Sequence, residues 1–294
     1  MPDFWACVAA RIGDAQGRRI AVMEAKGIGG GCINRTFTLR CDHSDYFVKL
    51  NHADSLGMFE AEAAGLRELC QAGVIRVPEP VCWGAQDENS FLVLEQLSFA
   101  RAGTGSSGVL GRQLAELHRV THSHFGWSRD NTIGSTPQQN SPHQDWPEFF
   151  KVNRLQFQLD LAKENGYGGT LQKLGTDLLT RVERFFSNHR PVASLLHGDL
   201  WGGNWAVCED GTPVIFDPAV YYGDREADLA MTELFGGFDE GFYAAYREVW
   251  PLDQGYAERK SLYNLYHILN HLNLFGGGYL GQAESLMRRV LSFR

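Results

Sequence analysis

Residues 197–205 read HGDLWGGNW and residues 214–218 read VIFDP, and these two stretches constrain the chain more than any other. Asp199 and Asn204 have four residues between them, and Asp217 follows Asn204 by thirteen, at the end of a short apolar run. A loop, a hairpin and a strand end in that order bring three such side chains to one point. A lone Asp in a loop is ordinarily a turn former. Two carboxylates and an amide in this order instead suit work on a hydroxyl beside a hard divalent cation.

Phosphoryl transfer asks for that set: one carboxylate to orient and deprotonate a hydroxyl, and an amide with a second carboxylate to hold Mg²⁺ against ATP phosphates. The Asp-x4-Asn gap matches the catalytic loop H-R-D-x-x-x-x-N. Asp199 is therefore the candidate base, and Asn204 and Asp217 are the candidate metal ligands. The upstream segments agree. GIGGGCIN (residues 27–34) lies between two expected strands, where Gly29, Gly30 and Gly31 let backbone N–H groups approach oxyanions. It lacks the Lys-Ser/Thr of a Walker A loop and opens no helix, which excludes a P-loop NTPase. Lys49 in YFVKL shares a strand face with Phe47, opposite Val48 and Leu50. In the next helix Phe59, Glu62, Leu66 and Leu69 fall on one stripe, so Glu62 interrupts a buried face and needs a partner. A Lys49–Glu62 ion pair clamping the α/β-phosphates answers both.

Lys and Arg number 27 against 35 Asp and Glu, for a net charge of −8, with no basic block. Nucleic acid and anionic membrane surfaces are thus not expected partners. No apolar run approaches the ~20 residues of a membrane span, and the first residues lack the pattern of a signal peptide. Cys7, Cys32, Cys41, Cys70, Cys82 and Cys208 show no CxxC spacing, so reduced thiols and a cytoplasmic location are expected.

Strand character marks residues 20–26, 34–40, 46–50 and 91–94, with a single helix over 58–72 ended by Gly73. FLVLEQL (91–97) runs into the small, polar stretch 98–108. The expected division falls there: residues 1–97 form a β-rich nucleotide-binding lobe, and residues 98–294 a mainly helical catalytic and substrate lobe. Glu95, Gln96 and Leu97 are the candidate hinge for the adenine edge. Beyond it, strands are expected over 195–197, 205–207 and 214–216 among helices. The loop 125–146, with three aromatics, reads as functional. Asp224 is placed to cap the helix that follows, Asp228 to brace the HGD loop from beneath, and His118 and His197 as structural histidines.

GGGCIN, FVKLN, HGDLWGGNW, FGWSRDNTIGSTPQ and DPAVYYGDREADLAMTELFGGF together resemble the fructosamine kinase (ketosamine kinase) family. The resemblance spans nearly the whole chain and shows no departure at a catalytic position. It implies an α+β, two-lobed, protein-kinase-like fold shared with aminoglycoside phosphotransferases, with an ATP cleft between the lobes. It also implies ATP- and Mg²⁺-dependent phosphorylation of a ketosamine, free or protein-bound, at C3 of a fructosamine or ribulosamine sugar, leading to deglycation. Trp201, beside the base, is a candidate for stacking on the sugar, with a core aromatic as the alternative. Asp130, Trp127 and Trp146 are further substrate candidates. Cys32, in the glycine loop, is a candidate redox residue, so the implied states are a monomer or a homodimer linked through its oxidation. The rival readings are a phosphotransferase for an aminoglycoside- or choline-type hydroxyl compound and an ATP-binding pseudo-enzyme.

Overall fold

The computed structural model describes residues 2–29, 33–100, 103 and 105–293. Two compact units divide the chain, Met1–Gly103 with Ala206–Asp217, and Thr104–Trp205 with Pro218–Arg294.

A five-stranded antiparallel sheet forms the first unit: β1 (Val22–Ile28), β2 (Arg35–Cys41), β3 (Asp45–His52), β4 (Pro80–Gln86) and β5 (Asn89–Glu95), in the order β1-β2-β3-β5-β4. Alternation along β3 sorts its side chains to two faces. Tyr46, Val48 and Leu50 are buried with Leu39 of β2 and with Phe91 and Val93 of β5, under a helix α1 (Pro2–Gln16) that supplies Phe4, Val8 and Ile12. Lys49 leaves the opposite face, toward helix α2 (Leu56–Ala72). Phe59, Leu66 and Leu69 of α2 are buried, and Gly73 ends it at φ +66 with its N–H donated to the Cys70 carbonyl.

Two elements differ from expectation. Helix α1 was not anticipated, because its stripe is narrow and its stability comes from burial against a sheet made later in the chain. Strand β4 begins at Pro80 and contains Gly84, both strand-weakening signals. It lies at the sheet edge, where a missing N–H is tolerated, and Gly84 makes room for the Phe91 ring.

The chain returns to this unit through a hairpin, Trp205–Cys208 and Pro213–Ile215. Val207 and Cys208 pair with Ala100 and Phe99, and the Ile215 N–H donates to the Arg76 carbonyl.

The second unit is helical: α3 (Ser106–Leu117), α4 (Trp146–Phe150), α5 (Phe157–Glu164), α6 (Thr170–Leu179), α7 (Glu226–Leu234), α8 (Glu240–Val249), α9 (Tyr256–Phe275) and α10 (Leu280–Ser292). Helix α9 is buried almost all round through Leu262, Tyr263, Leu265, Tyr266, Ile268, Leu269 and Leu272. A π-helical turn, Lys151–Gln156, joins α4 to α5. A short antiparallel pair, Ala193–Leu196 with Tyr221–Gly223, leads into the HGD loop. No helix among the described residues is long and apolar enough to cross a membrane.

Candidate active site

Lys49 sits in the middle of β3, only 4% exposed, and its Nζ donates to Glu62 Oε1 at 2.5 Å and to Asp217 Oδ1 at 2.6 Å. Burial by itself pushes the ammonium pKa down, but the carboxylates of Asp217 and Glu62 outweigh it, and the net shift is upward. Lys49 is therefore charged. Glu62, the interruption in the α2 stripe, has found its partner. Burial drives its own carboxyl upward, Lys49 pulls it back and Asp217 adds to the rise.

Asp217 ends the hairpin at φ +57, one of two non-glycine residues in the left-handed region among the described residues. A short Asp side chain tolerates that region better than a bulky one. The conformation holds a half-exposed carboxylate against the buried ammonium. On the glycine segment, a Cβ at Gly29 would meet nothing within 4 Å. Gly30, Gly31 and Cys32 lie outside the described residues. Glu95 donates its N–H to the Glu79 carbonyl at 2.9 Å, and its carboxylate accepts from Arg76 at 2.5 Å. Gln96 turns its amide onto the Leu97 carbonyl at 3.0 Å.

In the second unit the HGD loop hangs from Asp228. One carboxylate oxygen accepts the His197 N–H at 2.7 Å and the other the Gly198 N–H at 2.8 Å. His118 Nε2 stands 3.3 Å away, and its Nδ1 is bonded to the Tyr246 hydroxyl. Burial alone pushes the Asp228 carboxyl up; the bonds from His118 and the backbone outweigh it and hold it below the usual carboxylate range. Gly198 has φ +83, and a Cβ there would lie 2.0 Å from the Ala219 carbonyl oxygen, so no other residue fits between Asp228 and the next strand. Asn204 is buried, and its Nδ2 donates to the Asp199 carbonyl at 2.8 Å, with Asp199 Oδ2 at 3.4 Å. The amide oxygen of Asn204 is thereby turned away from Asp199. Asp224 accepts the Glu226 N–H at the start of α7, as the capping argument expects, and also binds His189 and the Tyr263 hydroxyl.

The aromatic candidates separate. Trp201 is 40% exposed, and Gly203 leaves the space its ring occupies: a Cβ there would come within 2.3 Å of the indole. Trp146 is 1% exposed, packs among Phe125, Phe149, Phe150 and Tyr221, and donates Nε1–H to Tyr263 at 2.9 Å. It is a core residue, and the expectation that it meets a substrate is corrected. Trp127 is likewise buried. Asp130 is exposed but accepts the Asn140 N–H at 2.7 Å, closing its own loop. The functional reading of loop 125–146 thus gives way to a scaffold. Its aromatics fill the core, and its amides form a buried network.

That network was not anticipated. Arg154 is fully buried and donates to the Gln139 carbonyl and to Asn140 Oδ1, while Asn140 and Gln138 donate to Asn131 Oδ1. Asn131 and Gln138 in turn hold the Val220 and Ala219 carbonyls, and the Ala219 N–H donates to the His197 carbonyl. The polar run NTIGSTPQQN (131–140) was the available signal, an amide-rich loop too dense in acceptors and donors to be a plain turn.

A family model described as fructosamine kinase matches residues 4–293. The chain belongs to the fructosamine kinase family. A relative from Synechocystis, named a ketoamine kinase, is 45% identical over 291 residues, covering 99% of this chain and 98% of that one. The chloroplastic protein-ribulosamine 3-kinase of Arabidopsis thaliana is 42% identical over 275 residues, covering 92% and 84%. The crystal structure of a fructosamine-3-kinase from Haemophilus somnus superposes with a TM-score of 0.90 at 30% identity, covering 98% of this chain and 97% of that one. The fold is the two-lobed, kinase-like α+β fold, and the fructosamine kinase chain is a phosphotransferase of the fructosamine-3-kinase type.

Proposed function

We propose that this fructosamine kinase family member transfers the γ-phosphoryl group of ATP to the C3 hydroxyl of a ketosamine, free or protein-bound, and that the product then breaks down to release the amine. The observation that carries the reading is the buried Lys49 ammonium shared by Glu62 and Asp217. A charge held that way is suited to receive the α/β-phosphates while Glu62 keeps it in place. Gly29, Gly30 and Gly31 cover the phosphates, and Glu95, Gln96 and Leu97 face the adenine edge. Since the Glu95 N–H is already donated within the unit, Gln96 and Leu97 carry most of that role. In functional terms residues 1–97 serve the nucleotide and residues 98–294 the catalysis and the substrate.

Asp199 takes the proton of the attacking hydroxyl as the new P–O bond forms and ADP departs. The half-exposed Asp217 carboxylate and the Asn204 amide oxygen are hard oxygen donors, and they suit Mg²⁺. When bound, that ion neutralises phosphate charge. Trp201, exposed beside Asp199, stacks on the sugar. Cys7, Cys41, Cys70, Cys82 and Cys208 are free thiols, which favours a cytoplasmic location.

The test is ADP release with Mg-ATP over fructosyl-lysine, ribulosyl-lysine, kanamycin and choline, with Asp199→Asn as control. Turnover on a ketosamine that the control abolishes is the expected result and ranks the sugars. Turnover on kanamycin or choline alone would replace the substrate class. ATP binding without turnover on any of them would leave a pseudo-enzyme.

A further inference from the structure

We propose that an exposed aromatic cluster formed by Phe235, His271, Phe275 and Tyr279 receives the amine-bearing arm of the substrate, a protonated nitrogen carrying an alkyl or peptide chain. This rests on the ketosamine reading above and names the part of the substrate that the sugar site leaves outside.

The rings form one patch. His271 lies 4.8 Å from Phe235, 5.3 Å from Phe275 and 5.2 Å from Tyr279, centroid to centroid. Phe235 and Phe275 are 39% and 49% exposed. Three glycines, residues 276–278, follow Phe275, and the Tyr167 ring lies against the first two. Most large exposed apolar groups in a soluble chain are scattered, and a contiguous set marks a contact surface.

The patch is continuous with the HGD loop. A Cβ at Gly202 would lie 2.8 Å from the Gly236 carbonyl oxygen, and one at Gly237 would lie 2.4 Å from the Gly202 Cα. Trp201 and Phe235 are the immediate neighbours of that contact, one on each strand of chain.

Charge selects the ligand. Elsewhere in the chain three partly buried rings carry its own cations: Arg67 over Trp83 at 4.5 Å, Arg225 over Trp250 at 4.2 Å, Lys260 over Tyr256 at 5.8 Å. Among the described residues no Lys or Arg covers Phe235, His271, Phe275 or Tyr279. His271 brings no charge of its own: its Nδ1–H is donated to the His267 carbonyl at 2.8 Å, and burial lowers its pKa. Bare π faces beside a catalytic loop favour an organic ammonium with an apolar stem. A ketosamine nitrogen is such a group, since it is a protonated amine whose chain must leave the sugar site.

The test compares Phe235→Ala and Phe275→Ala with the parent protein on three substrates. These are 1-deoxyfructose, which has the sugar but neither ammonium nor arm, free fructosyl-lysine, and fructosyl-lysine within a blocked peptide. Each variant is expected to raise KM for both armed substrates about fivefold relative to the armless one, with the effect in KM rather than kcat. Met23→Ala, which removes an exposed apolar side chain from β1, is the control and should change nothing. A response confined to the peptide would assign the patch to protein-bound substrate, and a response shared with free fructosyl-lysine to the amine arm itself. An unchanged KM ratio overturns the proposal, as does an unchanged ratio accompanied by a shift in mass by light scattering, which would make the patch a self-association face. Absence of turnover on all three substrates overturns the kinase reading and this inference with it.

Discussion

Lys49 is shared between a buried carboxylate, Glu62, and a half-exposed one, Asp217, whose backbone is left-handed. Asp228 in the second unit is wholly enclosed, with two backbone N–H groups and His118 on its two oxygens. The second arrangement gives both carboxylate oxygens a donor inside the fold, and the first leaves a carboxylate edge open to solvent. Acids that do chemistry need a vacancy, and acids that hold a loop need none. Both kinds of Asp lie within the same short stretch of sequence, and the difference between them is burial and partner count.

The sharpest way to break that comparison is to neutralise the candidate base and the bracing acid in turn. Asp199→Asn is expected to lower kcat on the order of 10³-fold, within the range for a positioned general base, while the melting temperature stays within about 2 °C. Asp228→Ala is expected to do the reverse first, removing about 3–5 kcal/mol of stability because two backbone N–H groups and a histidine lose their buried anion. Thermal and denaturant unfolding read this directly. If Asp228→Ala proves as stable as the parent, the enclosed-acid account fails.

A pH experiment sharpens the picture of the second unit. His267 is buried, and burial, helped by His271 and Arg154, lowers its pKa from 6.5 to about 3. Between those values the unfolded chain binds the proton and the folded chain refuses it. Stability is therefore complete above about pH 6.5 and is lost as pH falls toward 3, at up to about 1.4 kcal/mol per pH unit. His267→Leu is expected to flatten that limb of a melting-temperature profile. An unchanged slope would assign the acid limb to other groups.

The smallest effect concerns the two tryptophans. Trp146→Phe removes the Nε1–H that Tyr263 accepts and is expected to cost about 1–3 kcal/mol with KM unaltered. Trp201→Ala is expected to raise KM several-fold with stability unaltered, as befits a solvent-facing ring. Interchanged outcomes would mean that exposure misassigned both.

These pairs also show what could be read before any coordinates. The Lys49–Glu62 pair was legible from the charged interruption of the α2 stripe, because that residue breaks a local rule in a way that only a partner elsewhere repairs. So was the bracing role of Asp228, from its place one turn into a helix beside the HGD loop. Helix α1 and strand β4 were not, since both are weak by local signal and exist through burial against the sheet. Trp146 misled for a related reason. A tryptophan in a turn-rich loop looks available, and only the later Phe149, Phe150, Tyr221 and Tyr263 enclose it. Arg154 carries no local sign that a buried guanidinium gathers the amides of another loop.

The hairpin that carries Asp217 has a consequence for anyone who would take the molecule apart. The chain leaves the first unit near Gly103, comes back at Ala206 and leaves again after Asp217. A single cut therefore yields neither unit whole. A fragment ending at residue 103 would keep Lys49 and Glu62 but not Asp217, and the remainder would carry an orphaned hairpin. Exchanging this unit between relatives requires three matched junctions rather than one, so it behaves as a woven piece and not as a cassette.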